Sequence, residues 1–250
     1  MTNYTRISLA SLALAASLAF TGGLAADEEE EFLDANSLFE DEAKDLSIVD
    51  PLRPINKAIF NFNDFVYLKA LKPVSKGYQA IMPDQAEKSV GNFFNNLKYP
   101  SRLVGNLMLV KLKQATQETG KFLVDTTIGI GGLLKPSKDI DGLNPPKEDI
   151  GQGLASWGLG HGFYVVLPFS GPTSLRDGIG NFGDSYVEPI PEPWSQVDES
   201  AVRLGLQGLE IINDSPTLLE AYEALKESAI DPYEAMKDAY LQRRNAQTDQ

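Results

Sequence analysis

The chain of 250 residues has no cysteine. That removes disulfides, a thiolate nucleophile and a cysteine metal site together, and leaves no thiol to carry a lipid. There is one histidine, His161, set between Gly160 and Gly162, and no G-x-S-x-G elbow. A lone loop histidine without a partner in sequence reads as a solvated residue, so catalysis has no nominated group. Positive charge is scarce: 22 Lys and Arg stand against 35 Asp and Glu, a formal net charge of −13. Such a surface repels a phosphate backbone, and nucleic acid is not an expected partner. Beyond residue 25 no apolar run reaches membrane-spanning length without charge, proline or clustered glycine.

What is present begins with Arg6, followed by ISLASLALAASLAF and the small residues Gly23 and Ala25. This pattern predicts a secretory signal over 1–25 and places the protein outside the cytoplasm. Residues 26–49, opening ADEEEEF, read as a flexible acidic segment. With 42% hydrophobic residues, the remainder supports one sizeable core over 50–244, with 245–250 as a flexible tail.

From Asp50 the apolar residues Ile55, Ala58, Ile59, Phe62, Phe65 and Val66 form one stripe at helical period. Phe60 lies off it, so the helix is apolar on two sides. Two readings stand: a helix packed between two others, or an interfacial helix lying among lipid headgroups. Asp84 with Glu87 resembles a capping box for a helix that Tyr99-Pro100 ends, and Ser101 is placed to cap the next. A third amphipathic segment runs from Leu112 to Leu123. Val202, Leu206 and Leu209 mark one later helix, Leu218, Leu219, Tyr222 and Leu225 another, and DPYE (231–234) opens the last. A helix start is expected at Ser170 or Thr173, and YVEPIPEPW (186–194) spaces its prolines as an extended strap. The fold class is therefore mostly α, with one short hairpin at most and no internal repeat.

TTIGIGGLLKP (126–136) has no acid and three glycines. It lacks the Lys-Ser/Thr of a phosphate loop. As a hairpin tip or mobile flap, with Gly129, Gly131 and Gly132 as its flexible points, it presents Ile128, Ile130, Leu133 and Leu134 to something apolar. As a tight turn, it packs those residues into the core. Asp139, Asp141 and Asp149 lack the spacing of a calcium loop, and no metal or cofactor is expected.

Six blocks together resemble the MlaA (VacJ) family of phospholipid-transport proteins: DPLRPINKAIFNFNDF (50–65), KPVSKGY (72–78), VGNFFNNLKYP (90–100), KFLVDTTIGIGGLLKP (121–136), the glycine-rich stretch 148–180, and DPYEAMKDAYLQRR (231–244). The resemblance implies a ring-like helical protein in the periplasm, peripheral to the inner leaflet of the outer membrane, beside a porin trimer. It implies an amphipathic channel that takes mislocalised phospholipid to a soluble periplasmic carrier, maintaining lipid asymmetry without enzymatic chemistry. An adaptor that binds porins without moving lipid is the alternative. Family members carry an acylated cysteine after the signal; here that region reads FTGGLAADE, so no lipid anchor is expected. The residues expected to bind lipid or face the membrane are Phe60, Phe62, Phe65, Ile128, Ile130, Leu133 and Leu134.

Overall fold

A computed structural model describes residues 48–190 and 199–248. The predicted signal, nearly all of the acidic segment and the PEPW end of the proline strap lie outside the described residues. Helix α1 spans Arg53–Val66 and continues through a π-helical stretch, Tyr67–Leu71, into α2, Lys72–Ile81. Then follow α3 (Asp84–Leu97), α4 (Tyr99–Met108), α5 (Leu112–Thr127), a 3-10 turn (Pro136–Asp139) and α6 (Ile150–Ser156). Strands β1 (Tyr164–Leu167) and β2 (Gly171–Ser174) lead into α7 (Leu175–Val187), α8 (Ser200–Ser228) and α9 (Pro232–Thr248). The described residues form a mostly helical domain with one two-stranded hairpin, as the residue patterns predict.

The inner face of α1 is polar. Asn56, Phe60 and Asn63 are its buried residues, while Ile55, Ala58, Phe62 and Phe65 of the apolar stripe are exposed. The two asparagines face β1 and substitute for a neighbouring strand. Asn56 Nδ2 donates to the Tyr164 carbonyl at 3.0 Å and its Oδ1 accepts from Val166 N at 2.9 Å. Two turns on, Asn63 repeats the pattern with the Leu167 carbonyl, at 2.9 Å, and Phe169 N, at 2.7 Å. A primary amide carries the same donor and acceptor as a peptide unit, so it satisfies the backbone of a strand that has only one strand partner.

Between the asparagines, Phe60 enters the main core with Tyr67, Tyr164, Val166, Leu219, Tyr222, Tyr233, Tyr240 and Leu241. Its ring meets Tyr233 edge to face at 5.8 Å. The core is rich in tyrosine, and most of the hydroxyls end on an acceptor: Tyr67 on the Phe169 carbonyl, Tyr222 on Asp64, Tyr233 on Asp50, Tyr240 on Asp177. Each of these four rings thus buries apolar area worth about 2 kcal/mol without stranding its polar end, whereas the buried Tyr164 hydroxyl has no partner among the described residues. Burial pushes the hydroxyls of Tyr164, Tyr222, Tyr233 and Tyr240 well above the ordinary phenol value.

Several helix ends differ from the sequence reading. Pro83, not Asp84, occupies the cap of α3, so Asp84 and Glu87 lie in its first turn and favour the positive end of its dipole. Ser101 is inside α4 and donates to Asp184 at 2.6 Å, joining α4 to α7. Ser174, one residue beyond Thr173, caps α7 by accepting from Asp177 N at 3.2 Å. Tyr186 and Val187, assigned to the strap, belong to α7.

The two helices expected over 202–225 are one, α8, with Pro216 inside it. A proline there removes the donor that the Ile212 carbonyl requires. Ser215 supplies it, its hydroxyl donating to that carbonyl at 2.7 Å. Helix α9 likewise continues past Arg244 to Thr248. Helices α6 and α7 cross where Gly180 meets Gly151: a Cβ on Gly180 would lie 2.5 Å from Gly151 N.

Candidate functional site

Helices α3, α4, α7, α8 and α9, with the Lys147–Asp149 connection, surround a cavity of about 690 Å³. Its walls are mainly polar and charged. The salt bridge Lys98–Glu210, at 2.6 Å, links α8 to the α3–α4 turn. Arg102 contacts the fully buried Glu118 at 3.1 Å, and Lys121 approaches the same carboxylate at 3.3 Å. Arg244 spans two elements, reaching Asp149 at 2.6 Å and Asp177 at 2.8 Å. Asp149 in turn caps α6 with Gln152, in the reciprocal box arrangement.

Other charges in this cavity are held less directly. The side chains of Lys147, Arg243 and Glu188 also line it, Lys147 and Arg243 exposed to solvent, and the Glu188 backbone N–H donates to the Asp184 carbonyl at 3.0 Å. Burial pushes the Glu188 carboxyl up to about 7; Lys98 opposes the shift, and Asp184 and Glu210 add to it. Asp184 is also raised by burial, although Ser101 donates to it. Lys147 is lowered by burial and then by the cations Arg102, Lys121, Lys135 and Lys98.

Beside this chamber lies an apolar groove of about 430 Å³, formed by Val66, Tyr67 and Leu71, the hairpin turn at Phe169, and Ile211 and Leu218 of α8. Glu210 and Asp214 line both the groove and the chamber. Phe169 lines the groove and also an outward apolar concavity with Ile55, Ala58 and Phe62. Its ring meets Phe62 edge to face at 5.3 Å. The outer apolar face, the groove and the charged chamber are therefore linked through shared residues.

Of the residues singled out in the sequence, Phe62 and Phe65 lie on that outer face, Phe65 65% exposed. Phe60, at 8% exposure, is corrected to core: the two asparagines turn its side of α1 inward, so it does not face a membrane. The glycine stretch is not a hairpin tip. It is the C-terminal wrap of α5, with Gly131 N on the Thr126 carbonyl, Gly132 N on the Asp125 carbonyl and Leu134 N on the Gly129 carbonyl, all within 2.9 Å. Ile128, Ile130, Leu133 and Leu134 remain exposed on it, and none of them lines the chamber or the groove. Ile130 holds a left-handed φ of 55°, costly for a β-branched residue, and its side chain points outward.

His161, expected to be solvated, has Nε2 2.9 Å from Asn245 Oδ1. No group of three or more His, Cys, Asp or Glu fit to hold a metal exists among the described residues. Nor is any described helix long and apolar enough to cross a membrane.

The family model of the MlaA lipoprotein matches residues 48–247. The chain belongs to the MlaA family. The Escherichia coli (strain K12) intermembrane phospholipid transport system lipoprotein MlaA is 30% identical over 205 residues, covering 78% of this chain and 77% of that one. Its Haemophilus influenzae counterpart of the same name is 27% identical, covering 77% and 76%. A solved MlaA-type chain described under "Structural basis for maintenance of bacterial outer membrane lipid asymmetry" superposes with a TM-score of 0.68 at 27% identity, covering 80% of this chain and 98% of that one.

The residues of the MlaA-family chamber are scattered from Gly91 to Gln247, so no local motif announces them. The nearest sequence signal is the pairing of the EDIG and QRR blocks, which supply Glu148, Asp149, Arg243 and Arg244.

Proposed function

We propose that this MlaA-family protein is a non-enzymatic phospholipid transfer component on the periplasmic side of the outer membrane. It takes mislocalised phospholipid from the membrane and hands it to a soluble periplasmic carrier, beside a porin trimer, which maintains lipid asymmetry. The observation that carries this reading is the chain of concavities joined by Phe169 and then by Glu210 and Asp214. A phospholipid needs both environments at once: apolar walls for its acyl tails, and charged, hydrogen-bonding walls for a headgroup that is costly to bury alone. The exposed Phe62 and Phe65 give α1 a face for the leaflet interface, where an amphipathic helix buries apolar area without spanning.

Purified protein equilibrated with phospholipid vesicles and re-isolated is expected to carry phospholipid detectable by mass spectrometry. Recovery without lipid, together with crosslinking to a porin, would replace transfer with an adaptor role.

A further inference from the structure

The hairpin turn between β1 and β2 crosses α1 at Asn63. There the Phe169 N–H donates to Asn63 Oδ1 at 2.7 Å, and the Phe169 carbonyl accepts from the Tyr67 hydroxyl at 2.6 Å. The outward apolar concavity takes its α1 wall from before this crossing, at Ile55, Ala58 and Phe62, and the apolar groove takes its wall from after it, at Val66, Tyr67 and Leu71. Among the described residues, Phe169 alone lines both. Two apolar hollows that meet at one residue are divided there, and an acyl chain moving along α1 from the outer face into the groove passes that residue.

Phe169 holds a φ of 65°, a region that disfavours a bulky side chain and that glycine or asparagine would occupy in a hairpin turn at little cost. Burial does not repay the strain, because the residue is 64% exposed and its ring rests on Phe62, itself exposed. The two hydrogen bonds from the α1 side fix the backbone, while the ring keeps its own side-chain torsions. Strain that the surroundings hold in place without a gain in packing is a property of ligand clamps and switch positions. We infer that Phe169 is the gate between the membrane-facing concavity and the groove: its ring, resting on Phe62, bars the junction, and a phospholipid acyl chain enters the groove when the ring leaves Phe62. This deepens the transfer reading and rests on it. Tyr67, which opens the π-helical stretch, supplies both the hydroxyl that clamps the turn and a wall of the groove, and so is the positioning residue for Phe169.

The test gives the full chain vesicles of phosphatidylethanolamine and phosphatidylglycerol that carry a trace of acyl-labelled fluorescent phosphatidylethanolamine and a lipid-anchored quencher. Dequenching follows labelled lipid as it leaves the vesicle for the protein, and each rate is divided by the vesicle-bound protein found by co-flotation of the same sample. Phe169→Gly is expected to raise the rate about fivefold, the scale of one aromatic edge contact. It should leave the final ratio of lipid to protein unchanged and should not lower the melting temperature, because glycine takes the left-handed turn without strain. Phe169→Trp should slow uptake by a similar factor. Tyr67→Phe keeps its ring in the core and removes only the hydroxyl that clamps the Phe169 carbonyl, and should speed uptake about twofold.

Equal rates in the wild type and both Phe169 variants overturn the gate while leaving transfer intact. Weaker co-flotation of Phe169→Gly at an unchanged or slower rate per bound protein makes the ring a membrane contact only, and also overturns it. An unchanged rate with a lower final ratio makes Phe169 a wall of the groove alone, with the same consequence. Absence of uptake by the wild type and every variant overturns the transfer reading itself, and the gate with it.

Discussion

Arg244 of α9 meets Asp177 of α7 through two parallel contacts, Nε to Oδ2 at 2.8 Å and Nη2 to Oδ1 at 2.9 Å. Both residues are buried, and Arg176 and Tyr240 share the same carboxylate. Burial alone would raise the Asp177 carboxyl, but hydrogen bonds from Arg244, Arg176 and Tyr240 outweigh it and hold the group at about 2, against an ordinary 3.8. A carboxyl held below its unfolded value adds stability above the unfolded value, and that stability is lost as pH falls through the folded one. Here the window runs from about pH 4 down to about pH 2 and is worth about 2 kcal/mol.

Asp177→Asn takes the carboxylate from buried Arg176 and leaves Arg244 with Asp149 alone, and should cost about 3–5 kcal/mol. Denaturant titration at neutral pH measures the loss. Repeated across the acid range, it should show the wild type losing stability in a window where the variant does not.

The asparagine pair of α1 makes a second prediction. Asn56→Leu keeps the volume but leaves Val166 N and the Tyr164 carbonyl without partners in a buried site, a loss of about 2–4 kcal/mol. Asn63→Leu acts nearer the hairpin turn, where Phe169 holds a left-handed φ of 65°, and should loosen that turn first. Amide hydrogen exchange at Val166 and Phe169 separates the two variants: Asn56→Leu exposes the strand and Asn63→Leu only the turn.

These asparagines also mark how far the sequence could be read. The period of α1 was legible in Ile55, Phe62 and Phe65, but periodicity says that a helix has two faces and not which one the protein keeps. Only the partner strand, more than a hundred residues away, turns Asn56 and Asn63 inward and Phe60 with them. The apolar sets at Val202–Leu209 and Leu218–Leu225 read as two helices because nothing local shows that Pro216 is carried inside one, its missing donor replaced by the Ser215 hydroxyl. The glycine run was legible as a bend, and its wrap back onto α5 follows from carbonyls at Asp125 and Thr126 that any helix end must satisfy. The chamber was illegible for a plain reason: its charges come from four helices and the loops beside them and have no common spacing. The family blocks carried the functional reading, and the chamber itself emerges only once the helices are placed.

The wrap of α5 discriminates between adjacent glycines. Both need a left-handed backbone, Gly131 at φ 66° and Gly132 at φ 92°, but a Cβ on Gly131 meets nothing within 4 Å while one on Gly132 lies 2.6 Å from Asn96 Cβ. Gly131→Ala should therefore cost only the conformational strain, about 1 kcal/mol. Gly132→Ala adds a clash that displaces the Asn96 amide from Thr126 Oγ1, a contact of 2.9 Å, for about 3 kcal/mol in all. Thermal melts of the two variants give the difference; equal costs would show that the turn moves freely of α3.

The two sides of α1 predict opposite phenotypes for the same residue type. Phe60→Ala removes a ring from the core and should cost about 3–4 kcal/mol in denaturant, with little effect on vesicle affinity of the protein that remains folded. Phe62→Ser with Phe65→Ser removes exposed rings and should leave stability within about 0.5 kcal/mol, because neither ring is held in the core cluster. If the outer face lies in the leaflet, each lost ring forfeits about 1–2 kcal/mol of apolar burial there, and co-flotation with vesicles should fall about tenfold or more for the pair. A double variant that floats like the wild type would move the membrane contact to another exposed apolar site, of which Ile128 and Ile130 on the α5 wrap are the first to substitute.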